Sequence, residues 1–207
     1  MRHGFGFTWF SMNVQKIIQW FRACAFCGYS LGSVEWLCLR CEAEFLKRMS
    51  LKTRWMGGDI RHQYLFYWDK EDQFLGQLVK SLKGKGLEKS YERLSIIFSS
   101  FPQVIPPDHI YFPTKGSEDH AYQWAFYFSL IHQCPMEPLF LRDQGKQSLL
   151  SKSQRQQRSF LPLKAKGKAP CFVDDVVTSG STAQAAYKAL GQPKNFTVWS
   201  LFYRSPL

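Results

Sequence analysis

From residue 60 to the C-terminus, short apolar runs alternate with longer segments in which apolar residues recur every three or four positions. Tyr64 to Trp68 reads as a strand. Phe74, Leu75, Leu78, Val79 and Leu82 then line one face of a helix, and beyond the break at Gly84 and Gly86 a second stripe runs through Leu87, Tyr91, Leu94 and Phe98. Ile110 to Phe112 predicts a strand, Pro113 to Asp119 a loop, and Ala121, Trp124, Phe128 and Ile131 the face of a further helix. Leu139 to Leu141 and Cys171 to Val173 are strands, Thr182 to Leu190 a helix, and Phe196 to Tyr203 a closing strand. Strands separated by helices predict an α/β fold around a parallel sheet with right-handed crossovers. Upstream, Val14, Ile17, Ile18 and Phe21 fall on one face of a short amphipathic helix over Met12 to Phe21. There is no internal repeat, and the pattern divides the chain into an N-terminal segment 1–23, a small module 24–48 and a main domain 60–207.

Composition fits that division. The 207 residues leave room for one domain of about 140 to 160 residues and a short extra unit. A hydrophobic content of 45%, with seven Trp and eighteen Phe, implies a filled core rather than disorder. No uninterrupted apolar run approaches the roughly eighteen residues needed to cross a bilayer. The aromatic stretch from Arg2 to Met12 is interrupted by Thr8 and Ser11, and no small-residue cleavage site comes after it, so the expected location is the cytoplasm.

Within the small module, Cys24 and Cys27 form one CxxC, and Cys38 and Cys41 form another after ten intervening residues. Two such knuckles present four thiolates in tetrahedral geometry, the arrangement of a closed structural Zn²⁺ site. An iron–sulfur cluster also takes four cysteines. Two disulfides are the other alternative, poorly served by CxxC spacing and by the absence of a secretion signal. Cys134 and Cys171 stand singly in apolar contexts. With no open coordination position, such a zinc would organise a segment too small to build its own core.

The densest chemistry lies at Phe172-Val173-Asp174-Asp175-Val176-Val177-Thr178-Ser179-Gly180-Ser181-Thr182-Ala183. A buried strand ends there and a helix begins. Two adjacent carboxylates at a strand's C-terminal end can accept hydrogen bonds from the vicinal hydroxyls of a ribose or engage its Mg²⁺. Thr178, Ser179, Gly180, Ser181 and Thr182 are small enough for consecutive backbone N–H groups to converge on an anion at a helix N-terminus. An ordinary strand-to-helix turn with capping residues needs only one of them and explains neither the acidic pair nor the rest of the loop. A phosphoacceptor receiver domain also uses adjacent carboxylates, but near its start. The run resembles the 5-phosphoribosyl-1-pyrophosphate (PRPP) motif of type I phosphoribosyltransferases.

A net charge of +11 calls for an anionic partner, and its distribution narrows the choice. Between Arg142 and Lys168 eight Lys or Arg residues accompany one acid, Asp143. This basic stretch reads as a lid over a polyanionic ligand, a nucleic-acid contact surface, or a solvated connector. Lys80, Lys83, Lys85 and Lys89 gather round the Gly84/Gly86 break, either at a solvated helix end or against a phosphate. Tyr64, Tyr67 and Trp68 are candidates to stack on a base, although strand aromatics usually belong to a core.

Taken together, the four-cysteine knuckle, the Leu82 to Gly86 turn, the Phe112-Pro113 loop, Gln147 with Leu150-Ser151-Lys152 and Arg155 to Arg158, and the terminal loop resemble the competence protein ComF family, from about Cys24 to the C-terminus. The resemblance implies a type I phosphoribosyltransferase-like domain with an N-terminal zinc module and an association with natural transformation, the uptake of single-stranded DNA. It implies roles in ribose binding for Asp174 and Asp175, in phosphate binding for Thr178 to Thr182, and in pyrophosphate binding for Lys115, with Mg²⁺ accompanying PRPP. One departure stands out. Where the family carries several arginines and a Gly-Phe-Asn-Gln signature, this chain has Thr114 to Gln123, with Lys115 as its one Lys or Arg and with Glu118 and Asp119 opposing pyrophosphate. Three functions are compatible with these residues: a phosphoribosyltransferase, a non-catalytic component of a DNA-uptake machine that binds single-stranded DNA and docks a helicase or pore, and a PRPP sensor.

Overall fold

The computed structural model describes residues 24, 27, 38–57, 59–69, 71–82, 88–114, 120–140 and 159–204. The expected N-terminal helix therefore lies outside the described residues. The chain divides into two compact units, Met1–Arg48 and Met49–Leu207.

In the first unit, helix α1 (Leu39–Arg48) starts directly after Cys38, whose carbonyl accepts the Glu42 N–H at 2.9 Å. Glu42 in its first turn and Lys47 and Arg48 in its last complement the helix dipole, and Arg48 bonds Glu44 one turn back at 2.7 Å. Its inward residues are Cys41 and Phe45.

The second unit is an α/β domain around one six-stranded sheet. In chain order it contains β1 (Lys52–Met56), β2 (Ile60–Tyr67), α2 (Gln73–Leu82), α3 (Glu88–Ser99), β3 (His109–Thr114), α4 (His120–His132), β4 (Met136–Phe140), β5 (Pro170–Val177), α5 (Ser181–Ala189) and β6 (Thr197–Tyr203). The sheet order is β1-β2-β6-β5-β3-β4, parallel throughout except for the antiparallel β1–β2 hairpin. The mostly parallel α/β class expected from the apolar periodicity is thus the fold of the domain.

Aromatic packing closes both faces. On one, Phe98 of α3 and Trp124 and Phe128 of α4 meet Trp199 of β6, with Phe128 and Trp199 ring centroids 4.7 Å apart and Trp124 and Phe128 4.4 Å apart. The Trp199 indole N–H donates to Gln63 Oε1 at 3.1 Å, and Gln63 donates to the Gln103 carbonyl at 3.0 Å, so this polar pair is satisfied inside the core. On the other, Ala183, Ala186 and Leu190 pack with Met56, Ile60, Tyr111, Phe172 and Val198. The small alanines let α5 lie close to the sheet.

β3 leads through α4 to β4 on one side of it, whereas β5 leads through α5 to β6 on the other. The chain therefore reverses its winding direction between β3 and β5, and ligands of open α/β sheets bind outside the strand C-termini at such a switch point. Here those ends are Thr114 and Val177.

His62 shows what burial does to a charge in this sheet. It is fully buried, with Nε2 2.8 Å from Ser200 Oγ. Because the Ser200 hydroxyl donates to the Phe202 carbonyl at 3.0 Å, it accepts from His62 Nε2–H, which leaves Nδ1 as a lone pair with no partner among the described residues. Burial first, and the Arg54 charge second, push the His62 pKa down to about 3. The unfolded imidazole titrates near 6.5, so between those values the unfolded chain takes up a proton that the folded one refuses. The stability that neutral His62 contributes is complete above that range and is lost as pH falls through it, about 2 kcal/mol between pH 7 and pH 5. Urea midpoints at the two pH values should fall further in the wild type than in His62→Gln. Equal shifts would mean that this imidazole is not held neutral. His109 and His132, also lowered by burial, act in the same sense in both proteins and cancel in the comparison.

Candidate functional site

β5 runs past the apolar residues and carries Asp174 and Asp175 within the ladder, opposite Ser200 of β6 at Asp174. The strand thus extends beyond the Cys171 to Val173 run expected from hydrophobicity, and the acidic pair sits in its second half rather than after it. Both carboxylates are half-buried. Asp174 Oδ1 accepts the Asp175 N–H at 2.9 Å, and Asp175 Oδ1 accepts the Val176 N–H at 2.8 Å, so each side chain is oriented by its neighbour's main chain.

Thr178 and Ser179 are exposed, and the chain turns at Gly180, whose φ of 78° lies in the left-handed region. Glycine adopts that conformation at little cost. Gly180 is the residue before α5 and has no side chain to cap the helix, so no side-chain cap bond is formed there. The Gly180 carbonyl accepts the Gln184 N–H at 2.9 Å, while Ser179 Oγ lies 3.3 Å from the Ser181 N–H and 3.1 Å from Ser181 Oγ. A hydroxyl-rich turn, a left-handed glycine and a helix N-terminus are together the geometry in which backbone amides meet an anion. Simple capping does not account for it, since the N-cap position has no capping side chain.

Two further elements approach this turn. The Arg204 N–H donates to the Val177 carbonyl at 2.9 Å, which fixes the end of β6 beside the start of the loop, and the Arg204 guanidinium lies 4.9 Å from the centroid of Trp68. From the hairpin, Met56 lies against Gly180, where a Cβ would come 3.0 Å from Met56 Sδ, and the Gly57 Cβ position is 3.1 Å from Gln184 Nε2. Neither contact is encoded in a local motif.

Comparison with known proteins adds a loose likeness. No protein-family model and no curated protein matches the chain. Among solved structures it is similar to a purine phosphoribosyltransferase from Pyrococcus horikoshii Ot3, at 13% identity over 56% of this chain and 82% of that one, with a TM-score of 0.37. It is also similar to the adenine phosphoribosyltransferase from Saccharomyces cerevisiae, at 14% identity over 82% and 90% of the two chains and a TM-score of 0.36. A Neisseria gonorrhoeae protein with bound ppGpp matches at 14% identity over 58% and 68%, with a TM-score of 0.36. Scores this low assign neither activity nor ligand, so function has to be argued from the residues themselves.

Of the residues singled out in the sequence, Asp174, Asp175 and Thr178 to Thr182 are contiguous at the switch point. Lys115, Gln147, Lys152, Arg155, Arg158, Lys83 and Lys85 lie outside the described residues. The end of the basic stretch is placed differently from a lid. Lys166 Nζ bonds Glu137 at 2.8 Å and its N–H donates to Tyr111 Oη at 2.7 Å, while the Lys168 and Ala169 N–H groups donate to the Asp108 carboxylate. Those contacts are at the N-terminal ends of the strands, opposite the loop, so the Lys166 ammonium and the backbone of Lys168 and Ala169 are tied to the far end of the sheet. Tyr64 is buried as core, whereas Tyr67 is 44% exposed.

In the first unit, ligand atoms of Cys24, Cys27, Cys38 and Cys41 all lie within 4.8 Å of one another, and Cys27 and Cys38 sulfurs are 3.7 Å apart. A tetrahedral ion with metal–sulfur bonds of about 2.3 Å requires sulfurs about 3.8 Å apart, so the cluster fits one four-coordinate metal. None of the six cysteines is in a disulfide. The Cys41 backbone N–H, and after it the neighbouring thiols, lower the Cys38 pKa to about 7, while burial pushes the Cys41 thiol up.

Among the described residues, no helix is long and apolar enough to cross a membrane.

Proposed function

We propose that the protein binds PRPP or another ribose 5-phosphate moiety at the C-terminal end of β5. The observation that carries this reading is the continuity of the acidic pair, the left-handed Gly180 and the N-terminus of α5 at the point where the sheet reverses its winding. In this reading the turn from Thr178 to Thr182 holds the 5′-phosphate through main-chain N–H groups and hydroxyls. Asp174 and Asp175 accept from the 2′- and 3′-hydroxyls, which fixes C1′ above the sheet edge. Mg²⁺ bound with PRPP would supply charge neutralisation for the pyrophosphate. By the ComF resemblance, Lys115 would be the cation that meets pyrophosphate, with the charges of Glu118 and Asp119 opposing it.

Binding and transfer are separate steps, because transfer also requires a nucleophile to take C1′ as pyrophosphate leaves, so the test has two stages. Calorimetric titration of the full-length protein with PRPP and Mg²⁺ should give saturable binding with one site per chain. Bases are then screened for pyrophosphate release. Saturable binding without release under any base identifies a PRPP-binding protein rather than a transferase, and absence of binding removes both. We further propose that the metal of the first unit is zinc, with a purely structural role, and that the protein works in the cytoplasm. A part in DNA uptake, through single-stranded DNA or a helicase or pore partner, rests on the ComF resemblance and on the basic run between Arg142 and Lys168.

A further inference from the structure

We infer that Arg54 is an anion-binding residue of this site, supplying the cation that the turn itself lacks; the inference rests on reading Thr178 to Thr182 as a phosphate turn. That turn contains hydroxyls and amides but no Lys or Arg. A phosphate monoester held there carries nearly two negative charges, which amides and a helix dipole worth about half a charge compensate only in part.

Two independent contacts bring β1 to the turn. Met56 lies against Gly180 and Gly57 against Gln184 in the first turn of α5. Arg54 precedes Met56 by two residues and so projects from the same face of the strand. Its guanidinium lies 4.1 Å from the centroid of Tyr203. Tyr203 in turn is the β6 partner of Val177, the residue immediately before the turn, and packs against the cluster that contains Val177 and Ala183.

The guanidinium is positioned but not otherwise engaged. Arg48 bonds Glu44 and Arg61 donates to the Gln103 carbonyl, whereas Arg54 makes no hydrogen bond or ion pair among the described residues. Contact with the ring holds the guanidinium in place without using its N–H donors in a hydrogen bond, and a guanidinium fork matches two oxygens of one phosphate. His62, opposite Arg54 in the hairpin, is neutral and adds no competing charge. The ligand class is a sugar phosphate whose monoester dianion rests on the turn and is gripped from the side by Arg54.

The test is calorimetric affinity of the full-length protein for ribose 5-phosphate and for PRPP with Mg²⁺, in the wild type, Arg54→Gln, Arg54→Lys and Gly180→Val. Arg54→Gln should weaken ribose 5-phosphate binding about tenfold to a hundredfold and flatten its salt dependence, with the melting temperature unchanged. Arg54→Lys should recover only part of the loss, because an ammonium has no planar fork. Wild-type affinity in Arg54→Gln, with binding lost in Gly180→Val, would leave the turn as the site and overturn the role of Arg54. A wild-type protein that binds neither ligand would overturn the phosphate site and Arg54 together.

Discussion

Replacing Asp174 and Asp175 together by asparagine is expected to weaken PRPP binding a hundredfold or more while leaving the protein folded. The two carboxylates are half-buried, and each accepts one main-chain N–H through Oδ1. Asparagine has the same shape and keeps an amide oxygen able to accept those bonds, so the end of β5 retains its internal restraints. What disappears is the charge on the face turned to a ribose. Hydrogen bonds to a charged group contribute about 1.5–3 kcal/mol each against about 0.5–1.5 kcal/mol for neutral ones, and losing that difference at two acceptors corresponds to about two decades of affinity. Calorimetry with PRPP and Mg²⁺, alongside a thermal melt, separates the two effects. Unchanged affinity in a folded double variant would show that the acidic pair does not touch the sugar, and the phosphoribosyl reading would fall with it.

The parallel strands are legible in sequence because both of their faces are covered, so β3 and β6 read as continuous apolar runs. The limits of that signal are physical. β5 carries its ladder through Asp174 and Asp175, since pairing with β6 depends on main-chain groups and is indifferent to the carboxylates, whereas apolar periodicity stops at the first charge. β1 has no periodic signature at all. Lys-Thr-Arg-Trp-Met is an edge strand with Met56 as its one buried residue, and it pairs because the turn returns it against β2. The acidic pair and the phosphate turn are local in sequence and could be read as one motif. Met56 and Arg204 reach the same turn through tertiary pairing from more than a hundred residues upstream and some two dozen downstream, and Arg54 reaches Tyr203 beside it, so no spacing rule reveals them. Lys166 and Lys168 show the converse. They belong to a basic run in sequence, but the strand direction puts the Lys166 ammonium and the Lys168 backbone at the opposite end of the sheet from the phosphate turn.

Removing the metal from the four-cysteine module is expected to unfold α1 while leaving the sheet domain intact. Among the described residues of the first unit, the buried apolar side chains are Cys24, Cys41 and Phe45, two of which are themselves metal ligands in this reading. A unit of that size is too short to build an extensive core of its own, and in small zinc modules the metal-binding free energy is the folding free energy. Dialysis against a strong chelator should therefore release about one equivalent of zinc and abolish amide-exchange protection over 39–48, with protection in β5 and β6 retained. Cys38→Ser should do the same without chelator, by removing one of the four ligands. Iron with visible charge-transfer absorbance in place of zinc would assign the site to an iron–sulfur cluster. A metal-free protein with α1 still protected would mean that the four thiols are held together by packing, and that the module needs no ion to fold.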